Sequence, residues 1–126
     1  MATTMTCGRG KKATEFHFEG STSAGFILHF TSGDVRITPE FLTMIREQFR
    51  GKRIPGGFSM TDPSPSGFGA WVRDKSRQLN ARALTPRHAS FIAALLRDAG
   101  WLQCHYEGPT VWLEFTPAKG IGGPPQ

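Results

Sequence analysis

Phe16, Phe18, Phe26, Leu28 and Phe30 fall on alternate positions, on either side of a small polar stretch from Gly20 to Gly25. A period of two puts side chains on one face of a strand. Residues 14–31 therefore predict an N-terminal β-hairpin whose connection is too long for a tight two-residue turn. The period then changes. In ITPEFLTMIREQFRG, Phe41, Leu42, Ile45 and Phe49 recur at helical spacing. Thr38 stands at the N-cap, Pro39 at the first helical position where a missing N–H costs nothing, and Glu40 beside the positive end. Gly51 can close the C-terminus.

Residues 51–67, GKRIPGGFSMTDPSPSG, make too long a segment to leave without structure inside a small domain, and the alternation of Phe58 and Met60 predicts a short strand over 57–61. GFGAWVRDKSRQLN predicts a second helix capped by Ser66, with Phe68, Trp71, Val72 and Leu79 toward the core. LTPRHASFIAALLRDAG predicts a third, capped by Thr85, opened by Pro86 and stopped by Gly100. A second hairpin, 101–106 with 111–116, follows at once. Residues 1–13 and 118–126 predict flexible tails, which leaves one domain over 14–117.

The chain of 126 residues is 38% hydrophobic and 20% charged, with ten Phe and three Trp, a composition that supports one modest core and argues against disorder along its whole length. No apolar run approaches the length of a membrane span, and MATTMTCGRGKK lacks the apolar centre of a signal peptide, so neither membrane association nor export is expected. Two cysteines, Cys7 in the tail and Cys104 in a strand-like segment, argue against a disulfide framework and for a reducing, cytoplasmic setting.

Charge changes the picture most. The net charge is +5, and residues 46–87 alone hold nine Lys/Arg against three acids. Clustered cations suit a polyanion, DNA or alternatively RNA. Lys52, Arg53, Arg73, Lys75, Arg77 and Arg82 are the expected phosphate contacts, which add affinity and salt dependence without specificity. On the third helix, at 100° per residue, Arg87, Ser90, Ala94 and Arg97 occupy about a quarter of the circumference. That stripe, cationic at its ends and small at its centre, suits a helix lying in a major groove. The competing explanation is an ordinary solvated face.

The order helix, short strand, helix, helix, hairpin over residues 38–116, with its Thr-Pro-capped helix and LLRDAGWL ending, resembles the winged helix-turn-helix superfamily. The resemblance implies an α+β fold of three helices and a C-terminal β-hairpin wing, here with an additional N-terminal hairpin. It also implies sequence-specific binding of double-stranded DNA through the third helix, as in a transcription regulator or mobile-element accessory factor, by a homodimer and without a cofactor. One feature departs from the pattern. The wing carries Glu107 and Glu114 and no Lys or Arg from 103 to 117. The alternative is therefore a winged-helix protein–protein interaction module, an accessory subunit of a larger nucleoprotein complex that meets a partner or a second copy through its hairpins.

Catalysis is not expected. His17-x-Glu19 and His105-x-Glu107 resemble fragments of a zinc-deaminase motif but lack the downstream Cys-x-x-Cys. Cys104 and His105 are adjacent on a strand and face opposite ways, so they cannot easily share a metal. His88 is expected on the helix surface rather than as a base. Trp101, Tyr106 and Trp112 are expected in packing rather than base stacking.

Overall fold

The alternating aromatic run folds into strands and gains another strand on each side. In the computed structural model, which describes residues 2–7, 13–61, 63–79, 83–108 and 110–117, strands β1 (Ala2–Met5), β2 (Glu15–Ser21), β3 (Gly25–Phe30) and β4 (Gly33–Ile37) form an antiparallel meander in that order. Leu28 lies opposite Phe18 and Val35, and the inward row of Phe16, Phe26, Leu28, Val35 and Ile37 is buried. The meander delivers the chain to the first helix at Gly25, where φ is +88° and an added Cβ would stand 2.6 Å from the Ile37 carbonyl oxygen. Only glycine allows that approach.

Residues 2–7, expected within a flexible tail, are instead part of this sheet. β1 pairs with β2 from Ala2 opposite Phe18 to Met5 opposite Glu15. Thr6 and Cys7 are buried, and the Thr6 hydroxyl accepts the Thr14 N–H at 2.8 Å. Of the expected tails, positions 1, 8–12 and 118–126 lie outside the described residues.

The rest of the chain runs α1 (Pro39–Phe49), β5 (Arg53–Pro55), α2 (Phe68–Gln78), α3 (Pro86–Asp98), β6 (Leu102–Glu107) and β7 (Thr110–Phe115). The three strands form a second antiparallel sheet in the order β5-β7-β6. The structure is thus α+β, with three helices and two antiparallel sheets among the described residues. Both Thr-Pro starts behave as the sequence predicts. Thr38 Oγ1 accepts the Phe41 N–H at 3.1 Å, and Thr85 Oγ1 accepts the His88 N–H at 3.2 Å. His88 returns the favour through Nδ1, which accepts the Thr85 N–H at 3.1 Å. It fills the place that Glu or Gln holds in the usual capping box, so this side chain is a helix-start element.

Three local expectations are corrected. The strand expected over 57–61 lies earlier, at 53–55, where Ile54 faces Leu113. Pro55 is tolerated there because β5 is the edge of its sheet, and Gly57, at φ +62°, turns the chain away before Phe58. Ser66 does not cap α2: Gly67 occupies the N-cap and no side chain bonds there. Leu79, expected in the core, is 45% exposed just beyond the last turn of that helix.

Two aromatic groups tie the layers together. Phe49 of α1 stacks on Phe115 of β7 at 5.3 Å between ring centroids and meets Phe68 of α2 edge-on at 5.7 Å. Phe91 of α3 reaches the other way, 4.9 Å from Phe16 and 4.8 Å from Phe30. α3 thus lies between α2 and β6 on one flank and the N-terminal sheet on the other. A disulfide, Cys7–Cys104, joins the two sheets covalently. It overturns the expectation of two unpaired thiols, because the strand order brings residues 97 apart in sequence to a Cα separation of 6.2 Å. Among the described residues no helix is long and apolar enough to cross a membrane.

Candidate nucleic-acid interface

The four residues expected to form one open ridge on α3 have four different surroundings. Arg87 is exposed in the first turn and engages no carboxylate among the described residues. Ser90 is half-buried and its hydroxyl donates to the Arg87 carbonyl at 2.7 Å, so it is already used by the helix backbone. Ala94 is 0% exposed. It lies one turn from both Phe91 and Arg97, which touch the N-terminal sheet. The Arg97 guanidinium is bound to β1 and its extension. Nη2 donates to the Met5 carbonyl at 2.8 Å and the Thr4 hydroxyl at 3.1 Å, and Nη1 lies 3.7 Å from Cys7 Sγ. Asp98 completes the cluster, paired with Arg97 at 3.0 Å and accepting the Thr4 hydroxyl.

The expectation of an exposed groove-reading stripe is therefore corrected. A polar stripe one quarter of a turn wide is present in sequence, but the protein's own first strand covers its C-terminal half. The run from Phe91 to Leu96 is buried without a break. Six consecutive buried residues span every direction around a helix, so α3 is a central helix rather than a surface one.

The expected phosphate contacts divide in the same way. Arg53 forms an ion pair with Glu107 and lies 5.0 Å over the Trp112 ring, so it is spent on neutralising the β6–β7 hairpin. Arg73 bonds its neighbour Asp74 through Nε at 2.9 Å, which holds the Asp74 carboxyl below the usual carboxylate range. Lys75 is half-buried beside a cleft lined by Gln48, Trp71 and Gln78. Lys52 and Arg77 are exposed and engage no carboxylate within hydrogen-bonding distance among the described residues. Arg82 lies outside the described residues. Arg77 in the last turn of α2 and Arg87 in the first turn of α3 flank the connection between the two helices.

Arg87 also stands between two clefts. One, about 240 Å³, is lined by Thr6, Cys7, Thr14, Phe58, Ser90 and Val111. The other, about 520 Å³, is bounded by Phe16, His17, His29, Phe30, Thr31 and His88. Three histidines border that second cleft, yet they do not converge. His88 is used in the cap, and His29 is held between Asp34 at 2.8 Å and Glu19 at 2.6 Å. These two carboxylates, Asp34 first, raise the His29 pKa above its ordinary value. An imidazole with both nitrogens directed at carboxylates is a cross-strand ion-pair centre and has no lone pair to offer a substrate. Among the described residues no group of three or more His, Cys, Asp or Glu side chains could hold a metal ion.

Sequence reasoning missed the disulfide, the Arg97 cluster and the His29 pairing. The cluster depends on how α3 packs on β1, and the pairing depends on register: His29 stands opposite Asp34, and Glu19 is its diagonal neighbour on β2. Compared with known proteins, the chain matches no family model, no curated protein and no solved structure.

Proposed function

We propose that residues 38–116 form a winged helix-turn-helix unit elaborated by the N-terminal sheet. We further propose that the chain is a nucleic-acid-binding accessory protein that contacts phosphates and, in the conformation described, does not read bases through α3. The scaffold reading is supported by the element order and by a sheet whose first strand pairs with its last, β5-β7-β6. One observation carries the functional reading. α3 is enclosed along Phe91–Leu96, while Lys52, Arg77 and Arg87 remain exposed with no carboxylate at ion-pairing distance among the described residues. Duplex DNA, with RNA as the alternative polyanion, is the partner that such cations suit; no cofactor, membrane or catalytic step belongs to the proposal, and a cytoplasmic setting does.

A salt series with random-sequence duplex tests it. Binding should weaken linearly in a log–log plot. The double variant Arg77→Gln/Arg87→Gln should reduce the slope by about 2, since each lost phosphate contact removes roughly 0.9. Equal affinity for unrelated sequences is expected. Strong preference for one duplex would overturn phosphate-only contact, and no binding at low salt would overturn nucleic-acid binding altogether. The second reading, a protein–protein module, is favoured by the wing itself. Its two acids are paired, Glu107 with Arg53 and Glu114 with His105, and its tip exposes Tyr106. That surface suits a protein partner or a second copy better than a phosphate backbone.

A further inference from the structure

We infer that the Cys7–Cys104 disulfide is a thiol–disulfide exchange site, attacked at Cys104 and releasing Cys7, with Arg97 stabilising the departing sulfur. The inference goes beyond the nucleic-acid reading and stands or falls separately from it.

The two sulfurs have unequal surroundings. Cys7 is 1% exposed, at the wall of the cleft of about 240 Å³ beside α3, whereas Cys104 is only half-buried on β6, an edge strand. An attacking thiolate must approach in line with the S–S bond, and access favours the Cys104 end. On that path a bond forms between the incoming sulfur and Cys104 Sγ, the S–S bond breaks, and its electron pair leaves on Cys7 Sγ. The leaving thiolate is received by a cation: Arg97 Nη1 is 3.7 Å away. A guanidinium at that distance stabilises negative charge on sulfur and so speeds departure. Arg97 is held for this by its bonds to Thr4 and Met5, on the strand that leads into Cys7, and by its ion pair with Asp98.

The reductant is a thiol. With a monothiol the product is a mixed disulfide on Cys104 and a free Cys7. With a vicinal dithiol, the second thiol attacks the mixed disulfide and frees Cys104. The reductant is then oxidised to its own disulfide, and the chain has gained two electrons and two protons. Either product removes the covalent tie between the N-terminal sheet and β6. β1 is then held by non-covalent contacts, among them those of Thr4 and Met5 with Arg97 and Asp98 and its pairing with β2. In a reducing compartment a cation-assisted disulfide that can be reached at one sulfur is of the labile kind rather than the structural kind.

The test uses the oxidised full chain with excess glutathione at neutral pH. Samples are quenched at intervals by alkylation and the adducts located by peptide mass spectrometry. Glutathione should appear on Cys104 and the alkyl group on Cys7, with an early preference of about ten-fold. At low ionic strength Arg97→Gln should slow the first step several-fold. Arg97→Lys, which keeps the charge but loses the forked contacts to β1, should restore most of the rate. Glutathione found mainly on Cys7, or equally on both, overturns the direction of attack. An Arg97→Gln protein as fast as the wild type, or an Arg97→Lys protein as slow as the Gln variant, overturns the role given to the charge. Amide exchange at residues 2–7, measured on the Cys104 adduct, should rise above that of the oxidised chain. Unchanged protection there would overturn the release of β1.

Discussion

Replacing Ala94 by leucine tests whether α3 is enclosed. Ala94 has no exposed surface, lies outside every cleft described above, and sits between Phe91, which meets Phe16 and Phe30, and Arg97, which meets β1. Three extra carbons have nowhere to go unless the N-terminal sheet moves, and overpacking of that kind costs about 1–3 kcal/mol. If the same position were an open ridge, the change would stay within about 0.5 kcal/mol. For a chain of 126 residues the larger effect corresponds to a fall in Tm of roughly 3–15 °C. Urea unfolding of the oxidised protein, with the slope held common, separates the two outcomes. Ser90→Leu is the internal control, because Ser90 borders a cleft of about 240 Å³ that can take the added bulk. It should be close to neutral apart from the lost bond to the Arg87 carbonyl, worth about 0.5–1.5 kcal/mol. An Ala94→Leu protein as stable as the wild type would refute the enclosure of α3 and restore an open groove-facing surface. In reduced protein the Ala94→Leu penalty should shrink, since a sheet freed from β6 can yield.

Three further outcomes are expected. Removing the disulfide by Cys7→Ser with Cys104→Ser should lower stability by up to about 4.7 kcal/mol, the loop-entropy value for a separation of 97 residues; a loss under 1 kcal/mol would show that the unfolded chain gains little freedom. The His29 imidazole should titrate above 6.5 by NMR, because Asp34 and Glu19 favour its charged form. Since the folded pKa is the higher one, its contribution to the β3–β4 turn should be complete below pH 6.5 and fade as pH rises through the folded value, and His29→Gln should abolish that dependence. Thr85→Ala should cost about 1 kcal/mol by removing the acceptor for the His88 N–H, read by thermal unfolding, and a variant of unchanged Tm would deny the cap its role.

What was legible followed from local chemistry. The Thr-Pro starts of α1 and α3, the Gly100 stop and the C-terminal hairpin each depend on residues a few positions apart; the first three formed where the sequence put them and the hairpin within one residue of it. Strand β5 was misplaced because Ile54 is its one clearly apolar residue and Pro55 reads as a breaker. Only pairing with β7 makes those three residues a strand. β1 and β4 were missed for a related reason: four exposed or half-exposed residues and a single Val-x-Ile carry little periodicity, and both strands exist by virtue of their neighbours. The covering of α3 did leave a signal. FIAALL, residues 91–96, is apolar in every direction around the helix, and that weighs more than two arginines on one side. The disulfide had no such local trace, since nothing near Cys7 announces residue 104.

The link between those two residues also sets an order of events at the ribosome. Residue 7 emerges early, and its partner is made 97 residues later, a wait of roughly 5–20 s at ordinary elongation rates. For most of that interval β1 has β2 to pair with but no third helix beneath it, and throughout it Cys7 has no sulfur to join. The strand beside Cys7 is thus made well before it can be fastened, and a nascent chain passes through a stage in which Cys7 is open to whatever thiol chemistry surrounds it.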